Sequence, residues 1–297
     1  MEPLKKLTPA SGKPDLCHIV ATRMLVTIRN NHDLDWLHRR LDLFGTFTLP
    51  SLAAQTNTDF IWILFTSPDL PDEIADRLSL MVSAFPNIHQ LSVRVKEMHN
   101  QDSYRSSFKL FRRIQNLEYD YLLTSRIDSD DAWNLCYVES VQAEARRLIV
   151  QKAIWEKYNG VAMTYPDGQI LYPYKIRGKE GIGKFKWPYF SQSLDILTPR
   201  AYRQELYGFA HSRIRQAIKK NRYLRHICQA PAPMFLYVQH AQNDGLIRTW
   251  HTWLRIVEKL WLPLRPPENG DWERYGISPS RYLHFKDKYI GDTYKSE

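Results

Sequence analysis

Between positions 128 and 131 the chain reads Asp128-Ser129-Asp130-Asp131, three carboxylates within four residues. Like charges packed this closely repel one another unless a cation lies among them. A hard divalent cation, Mn²⁺ or Mg²⁺, suits the place, because carboxylates are its preferred ligands and phosphate oxygens can complete its shell. Such an ion neutralises the charge that develops on a departing nucleoside diphosphate. Two other readings use the same residues. Counting Asp128 as the first position of a calcium loop puts Asp130 third and Glu139 twelfth, but Ala132 and Trp133 stand where that loop requires a ligand and a glycine. Taken alone, three aspartates in a turn could also be helix caps or solvated groups.

The elements around the cluster decide what it can do. Tyr121 to Ser125 is apolar enough for a strand that runs straight into the acidic turn. Upstream, His18 to Val26 and Phe60 to Phe65 read as buried strands, with a further strand at Leu91 to Val95. Between them, helical spacing starts at Leu34 with Asp33 as cap and extends to near Gln55; a second helix runs to about Phe85 and a third from Tyr104 to Leu117. This alternation predicts an α/β fold, a Rossmann-type, mainly parallel sheet flanked by helices. After Ala132 a helix is expected to about Lys157. Gly160 to Tyr165 and Gln169 to Tyr172 flank Pro166-Asp-Gly168 as a hairpin. Lys175 to Phe190 reads as a mobile loop or lid, Ser193 to Leu197 as a strand, and Ala201 to Arg225 as largely helical. A last amphipathic helix carries Leu246, Trp250, Trp253, Val257 and Trp261. It packs on the sheet or docks on a membrane surface. The chain reads as one domain over 1–297, with a half for donor and metal at 16–170 and an acceptor-side, helical half at 171–297.

Composition narrows the classes. With 297 residues, 43% of them hydrophobic, the chain buries a sizeable core and is not a disordered protein. Cys17, Cys136 and Cys228 are far apart and odd in number, which suggests neither a zinc ribbon nor a disulfide framework and favours a reducing compartment. No run approaches the roughly 18 apolar residues of a membrane span, so a cytoplasmic location is expected. The net charge of +9 is concentrated between Leu171 and His226, where thirteen Lys or Arg face only Glu180, Asp195 and Glu205. That segment suits phosphates, an acidic acceptor or peripheral contact with an anionic membrane surface. Basic nucleic-acid binding would also explain the charge but leaves the acidic turn without a purpose. A metal-dependent phosphoryl-transfer enzyme would use the aspartates, yet normally wants a second acidic cluster for a second metal.

Several stretches together carry a resemblance. They are His18-Ile-Val-Ala-Thr-Arg-Met24, Trp36 with Arg39 and Arg40, Leu49-Pro-Ser-Leu-Ala-Ala-Gln-Thr56 before Asp59-Phe-Ile-Trp62, Tyr121 through Ala132 with the acidic turn, and Gln239-His-Ala-Gln-Asn243. In these the chain resembles the glycosyltransferases of the GT-A type, and most closely the bacterial rhamnosyl transferase family. The resemblance implies a GT-A-like fold and a glycosyltransferase that moves a sugar, rhamnose by the family's name, from a nucleotide-sugar donor to a hydroxyl of a glycan or lipid-linked acceptor. It implies a metal site at Asp128, Asp130 and Asp131, with His240 as a further ligand and Asn243 beside it. Thr22, Arg23 and Asp69 fall where such enzymes hold the nucleoside. Arg105 and Lys109, with Arg112, lie on one predicted helix and could meet phosphate or simply face solvent; Arg126 points toward Asp128 or pairs with it. No nucleic-acid partner is expected. Inversion requires a carboxylate base, for which Asp195 and Glu205 are the candidates, with Asp244 beside the late histidine.

Overall fold

The computed structural model describes residues 15–25, 33–92, 119–176, 178–189, 191–202, 218, 223–240 and 263–290. The expected helix at 104–117 with Arg105 and Lys109, the amphipathic helix at 246–261, Glu205, Asn243 and Asp244 lie outside these residues.

Eleven strands among the described residues form two sheets. The larger has the order β10-β6-β9-β4-β1-β2-β3. Its members are β1 (Leu16–Arg23), β2 (Ile61–Thr66), β3 (Ile88–Ser92), β4 (Tyr121–Arg126), β6 (Gly160–Thr164), β9 (Leu194–Pro199) and β10 (Tyr223–Ile227). β1 pairs parallel with both β2 and β4, β2 with β3 and β10 with β6; β9 alone runs antiparallel, between β4 and β6. Every residue of β2 is buried, as a strand covered on both faces must be, and this is why its sequence is a continuous apolar run. The mainly parallel α/β sheet expected from the sequence is therefore present.

The smaller sheet has the order β5-β11-β7-β8, from β5 (Ala132–Trp133), β7 (Asp167–Ile176), β8 (Lys179–Lys186) and β11 (Phe235–Val238). It corrects two expectations. The turn at Pro166-Asp-Gly168 does not close a hairpin but carries the chain from one sheet to the other. The Pro166 carbonyl accepts from Trp187 N–H and the Asp167 carbonyl from Met234 N–H, so the turn is tied to later segments instead. The expected lid is strand β8, antiparallel to β7. Its Gly181 has φ +114 and faces the Arg265 carbonyl, which a Cβ would approach to 2.5 Å. Strand β10 likewise occupies residues assigned to a helix. The boundary expected between 170 and 171 falls inside β7, and both sheets draw strands from both sides of it.

Helix α1 (Leu34–Leu43) starts on Asp33, whose carboxylate accepts from Trp36 N–H at 3.1 Å. It continues through a π-helical turn, Phe44–Thr48, into α2 (Leu49–Ala53). Then follow α3 (Asp72–Val82), α4 (Tyr137–Ile149), α5 (Lys152–Lys157), α6 (Asn269–Arg274) and α7 (Pro279–Tyr289). The single helix expected after Ala132 is thus strand β5 followed by two helices. No helix among the described residues is long and apolar enough to cross a membrane.

Candidate functional site

β4 delivers the acidic turn to the carboxyl end of the parallel strands, the edge where open α/β sheets gather ligands. The three carboxylates leave the turn in different directions. Asp130 meets Arg40 of α1, with Nη1 donating to Oδ2 at 2.9 Å, and His240, with Nε2 at 2.8 Å from the same oxygen. The other arm of Arg40 donates to Ser129 Oγ at 2.8 Å. Burial works to raise the Asp130 carboxyl, but Arg40 and His240 outweigh it and hold it well below the usual carboxylate range. His240 is itself pushed down by burial, against the pull of Asp130, which favours a neutral imidazole.

Asp131 turns inward. Its Oδ1 accepts from Val238 N–H of β11 at 2.8 Å, fixing the strand end from which His240 follows two residues later. Burial raises its carboxyl well above the ordinary range, with Asp130 and Asp128 adding to the effect; the Val238 amide and Gln192 offset only part of it. Asp128 is the most open, its side chain 27% exposed, and it accepts from Arg126 Nη2 at 3.2 Å and Gln192 Nε2 at 2.9 Å.

The turn is gripped from behind by the segment Thr48 to Thr56. Thr48 Oγ1 donates to the carbonyls of Asp131 and Asp128, at 2.8 and 3.3 Å. Ser51 Oγ accepts from Trp133 N–H at 3.3 Å. Gln55 donates to the Ser51 and Asn134 carbonyls at 2.8 and 2.9 Å while accepting from Val138 N–H at 2.9 Å. The Ser-Leu-x-x-Gln-Thr element and the acidic motif, two separate signals in the sequence, are one hydrogen-bonded unit.

The donor set fits a divalent cation in its chemistry. A carboxylate and a neutral imidazole touch, and a buried Asp131 oxygen, Oδ2, has no hydrogen-bond partner among the described residues. Asp131 is also a carboxylate pressed by two others, and among the described residues no cation pairs with it. The set is narrower than expected, because the three aspartates and His240 do not bring three ligand atoms within 4.8 Å of one another. Asp130 and His240 form its nucleus; Asp128 and Asp131 flank it.

Other expected site residues fall elsewhere. Thr22 is fully buried and its Oγ1 accepts from the Trp62 indole N–H at 3.0 Å, so it packs the sheet and does not face a nucleoside. Arg23 is half-buried at the end of β1, and Asp69 is exposed in the loop after β2. Asp195 lies fully buried in β9: Ser125 Oγ donates to its Oδ1 in a close contact, and Tyr137 OH donates to Oδ2 at 2.9 Å. A carboxylate enclosed in this way does not meet an acceptor hydroxyl; it supports β4 from beneath the acidic turn. Sequence reasoning missed Arg40 and Gln192 as site residues. Arg40 stood among the residues that carry the family resemblance but had no role assigned to it, and Gln192 carried no signal.

Comparison with known proteins comes down to one family. A search of the curated proteins finds no match. Among solved structures, a "putative nucleotide-diphospho-sugar transferase" from Desulfovibrio desulfuricans G20 superposes with TM-score 0.41 at 10% identity, covering 93% of this chain and 96% of that one. TarS 1–349 of S. aureus gives TM-score 0.37 at 12% identity over 75% of this chain and 60% of that one. Its complex with UDP gives 0.27 at 14% identity over 52% and 35%. These low scores carry no argument. The family model described as "Putative rhamnosyl transferase" matches residues 22–248, a span that holds the acidic turn, the Thr48 to Thr56 grip and His240. The chain belongs to this rhamnosyl transferase family.

Proposed function

We propose that this protein transfers a sugar, rhamnose by the family's description, from a nucleoside diphosphate donor to an acceptor hydroxyl, with the diphosphate seated at the Asp128 to Asp131 turn. The observation that carries the reading is the contact of Asp130 with His240 and Arg40 at the carboxyl end of β4, in a chain of this family. Asp130 and His240 would hold a Mn²⁺ or Mg²⁺ ion. When bound, such an ion supplies charge neutralisation to the departing diphosphate. Arg40 fixes the Asp130 carboxylate and keeps it ionised; Asp131 fixes the strand end that presents His240. Asp128, turned outward between Arg126 and Gln192, would accept hydrogen bonds from the donor. Transfer by direct displacement, with inversion at the anomeric carbon, is the course the family resemblance supports. A glycan or lipid-linked acceptor suits the basic segment, of which Lys184 and Lys186 stand exposed on β8.

The test is release of nucleoside diphosphate from a panel of nucleotide sugars, with and without Mn²⁺. Donor at a hundredfold excess over its dissociation constant should also stabilise the fold by about 2.7 kcal/mol in thermal unfolding. Asp130→Asn should lower Mn²⁺-supported turnover by about 100-fold or more. Full turnover by that variant would remove Asp130 from the reaction.

A further inference from the structure

A second group of metal-ligand side chains lies apart from the acidic turn, at the far edge of the larger sheet. Glu144 projects from α4, His226 belongs to edge strand β10, and Cys228 follows two residues later; β6 and β9 separate β10 from β4. One carboxylate oxygen, one ring nitrogen and the sulfur all lie within 4.8 Å of one another. His226 Nε2 is in close contact with Glu144 Oε1. Cys228 is 3% exposed, and its backbone N–H donates to the Thr164 carbonyl at 2.8 Å, so the sulfur is held by the sheet and not by a loose tail.

We propose that Glu144, His226 and Cys228 bind a zinc ion that ties the edge strand to α4. Thiolate, imidazole and carboxylate are the ligand types a borderline-soft divalent ion takes, and with a thiolate and a carboxylate the ion's charge is balanced. Zinc bonds of roughly 2.0–2.3 Å place tetrahedral ligand atoms roughly 3.5 Å apart, within reach of small side-chain rotations from the observed spacing. Two features oppose the ion and define its rival. Arg147 donates to both Glu144 oxygens, at 2.9 and 2.6 Å, but its side chain is 53% exposed and can swing into water. Burial first, then Asp195 and Glu144, push the Cys228 thiol up to about 12, so the ion must displace its proton. Without the ion, the group is a hydrogen-bonded cluster in which Glu144 meets Arg147 and His226.

The test uses the full chain, stripped with a chelator and titrated with Co²⁺ and then Zn²⁺. Cobalt should give a near-ultraviolet thiolate-to-metal band that Cys228→Ser abolishes and Asp130→Asn keeps. His226→Ala should weaken zinc binding by roughly tenfold or more, and Arg147→Ala should strengthen it by removing the competing cation. No band with the unsubstituted chain, a band that survives in Cys228→Ser, or one that vanishes in Asp130→Asn would each overturn the site. Should Cys228→Ser fail to fold, unchanged zinc affinity in His226→Ala overturns it equally. None of these outcomes bears on sugar transfer at the acidic turn.

Discussion

Replacing Asp195 by Asn separates a buried support from a catalytic base and has a pH signature that can be worked out. Burial raises the Asp195 carboxyl from 3.8 to about 7, although the hydrogen bonds from Ser125 and Tyr137 pull the other way. The folded protein therefore keeps a proton that the unfolded chain gives up near pH 4. Below that pH both states are protonated and the group costs nothing. Between pH 4 and 7 the unfolded chain ionises first, so stability falls as pH rises, by about 1.4 kcal/mol per pH unit and about 4 kcal/mol in all. Asn cannot ionise and can still accept one of the two hydrogen bonds. Urea unfolding at intervals from pH 4 to 8 should show the advantage of the native chain over Asp195→Asn shrinking across that window. Parallel pH profiles for the two proteins would refute the reasoning. Turnover provides a second reading of the same variant. Loss of a base in contact with the acceptor would cost about 10²–10⁴-fold, a loss that a support of β4 should not produce.

Gln55→Ala removes two donated bonds and leaves Val138 N–H without its side-chain partner, so we expect a loss of about 2–3 kcal/mol in urea unfolding. A loss below about 0.5 kcal/mol would mean that the grip on the acidic turn lies elsewhere. Gly168→Ala brings a Cβ within 2.4 Å of the Phe235 ring and should cost about 1–3 kcal/mol. Adding Phe235→Leu should recover part of that loss; strictly additive effects of the two substitutions would show that the ring is not the obstacle.

The parts legible in the sequence were those whose cause is local. Phe60 to Phe65 is apolar throughout because β2 is covered on both faces, and the acidic turn follows β4 because the chain must turn where that strand ends. What stayed hidden depends on partners far along the chain. Asp195 looks like a polar residue in an apolar strand until Ser125 and Tyr137, 70 and 58 positions away, are seen to enclose it. Arg40 stands in the sequence beside Trp36 and Arg39 with no partner indicated, and only the fold brings it to Asp130, 90 positions on. β8 escaped notice because Gly181 and Gly183 break its alternation, and Gly181 is where the Arg265 backbone passes closely. Pro166-Asp-Gly168 is a true turn, but turn chemistry does not say which strands will pair on either side.

The π-helical turn at Phe44–Thr48 has a consequence for which kinds of change this region can bear. All five of its residues are buried, and Leu49 N–H bonds back to the Phe44 carbonyl, one residue further than an α-helix would reach. Before it Arg40 faces Asp130; its last residue, Thr48, and Ser51 and Gln55 beyond it bond to the backbone of the acidic turn and of Trp133 and Asn134 just after it. A π-helical turn seats one extra residue in nearly the arc of an α-turn, so deleting one residue here would restore ordinary helical bonding with little change of phase, whereas a deletion in α1 or α2 would turn everything beyond it by about 100°. The segment acts as an indexing gear with one spare tooth: it absorbs a one-residue change, whereas the same change in either flanking helix alters the phase between the ion pair at one end and the grip at the other.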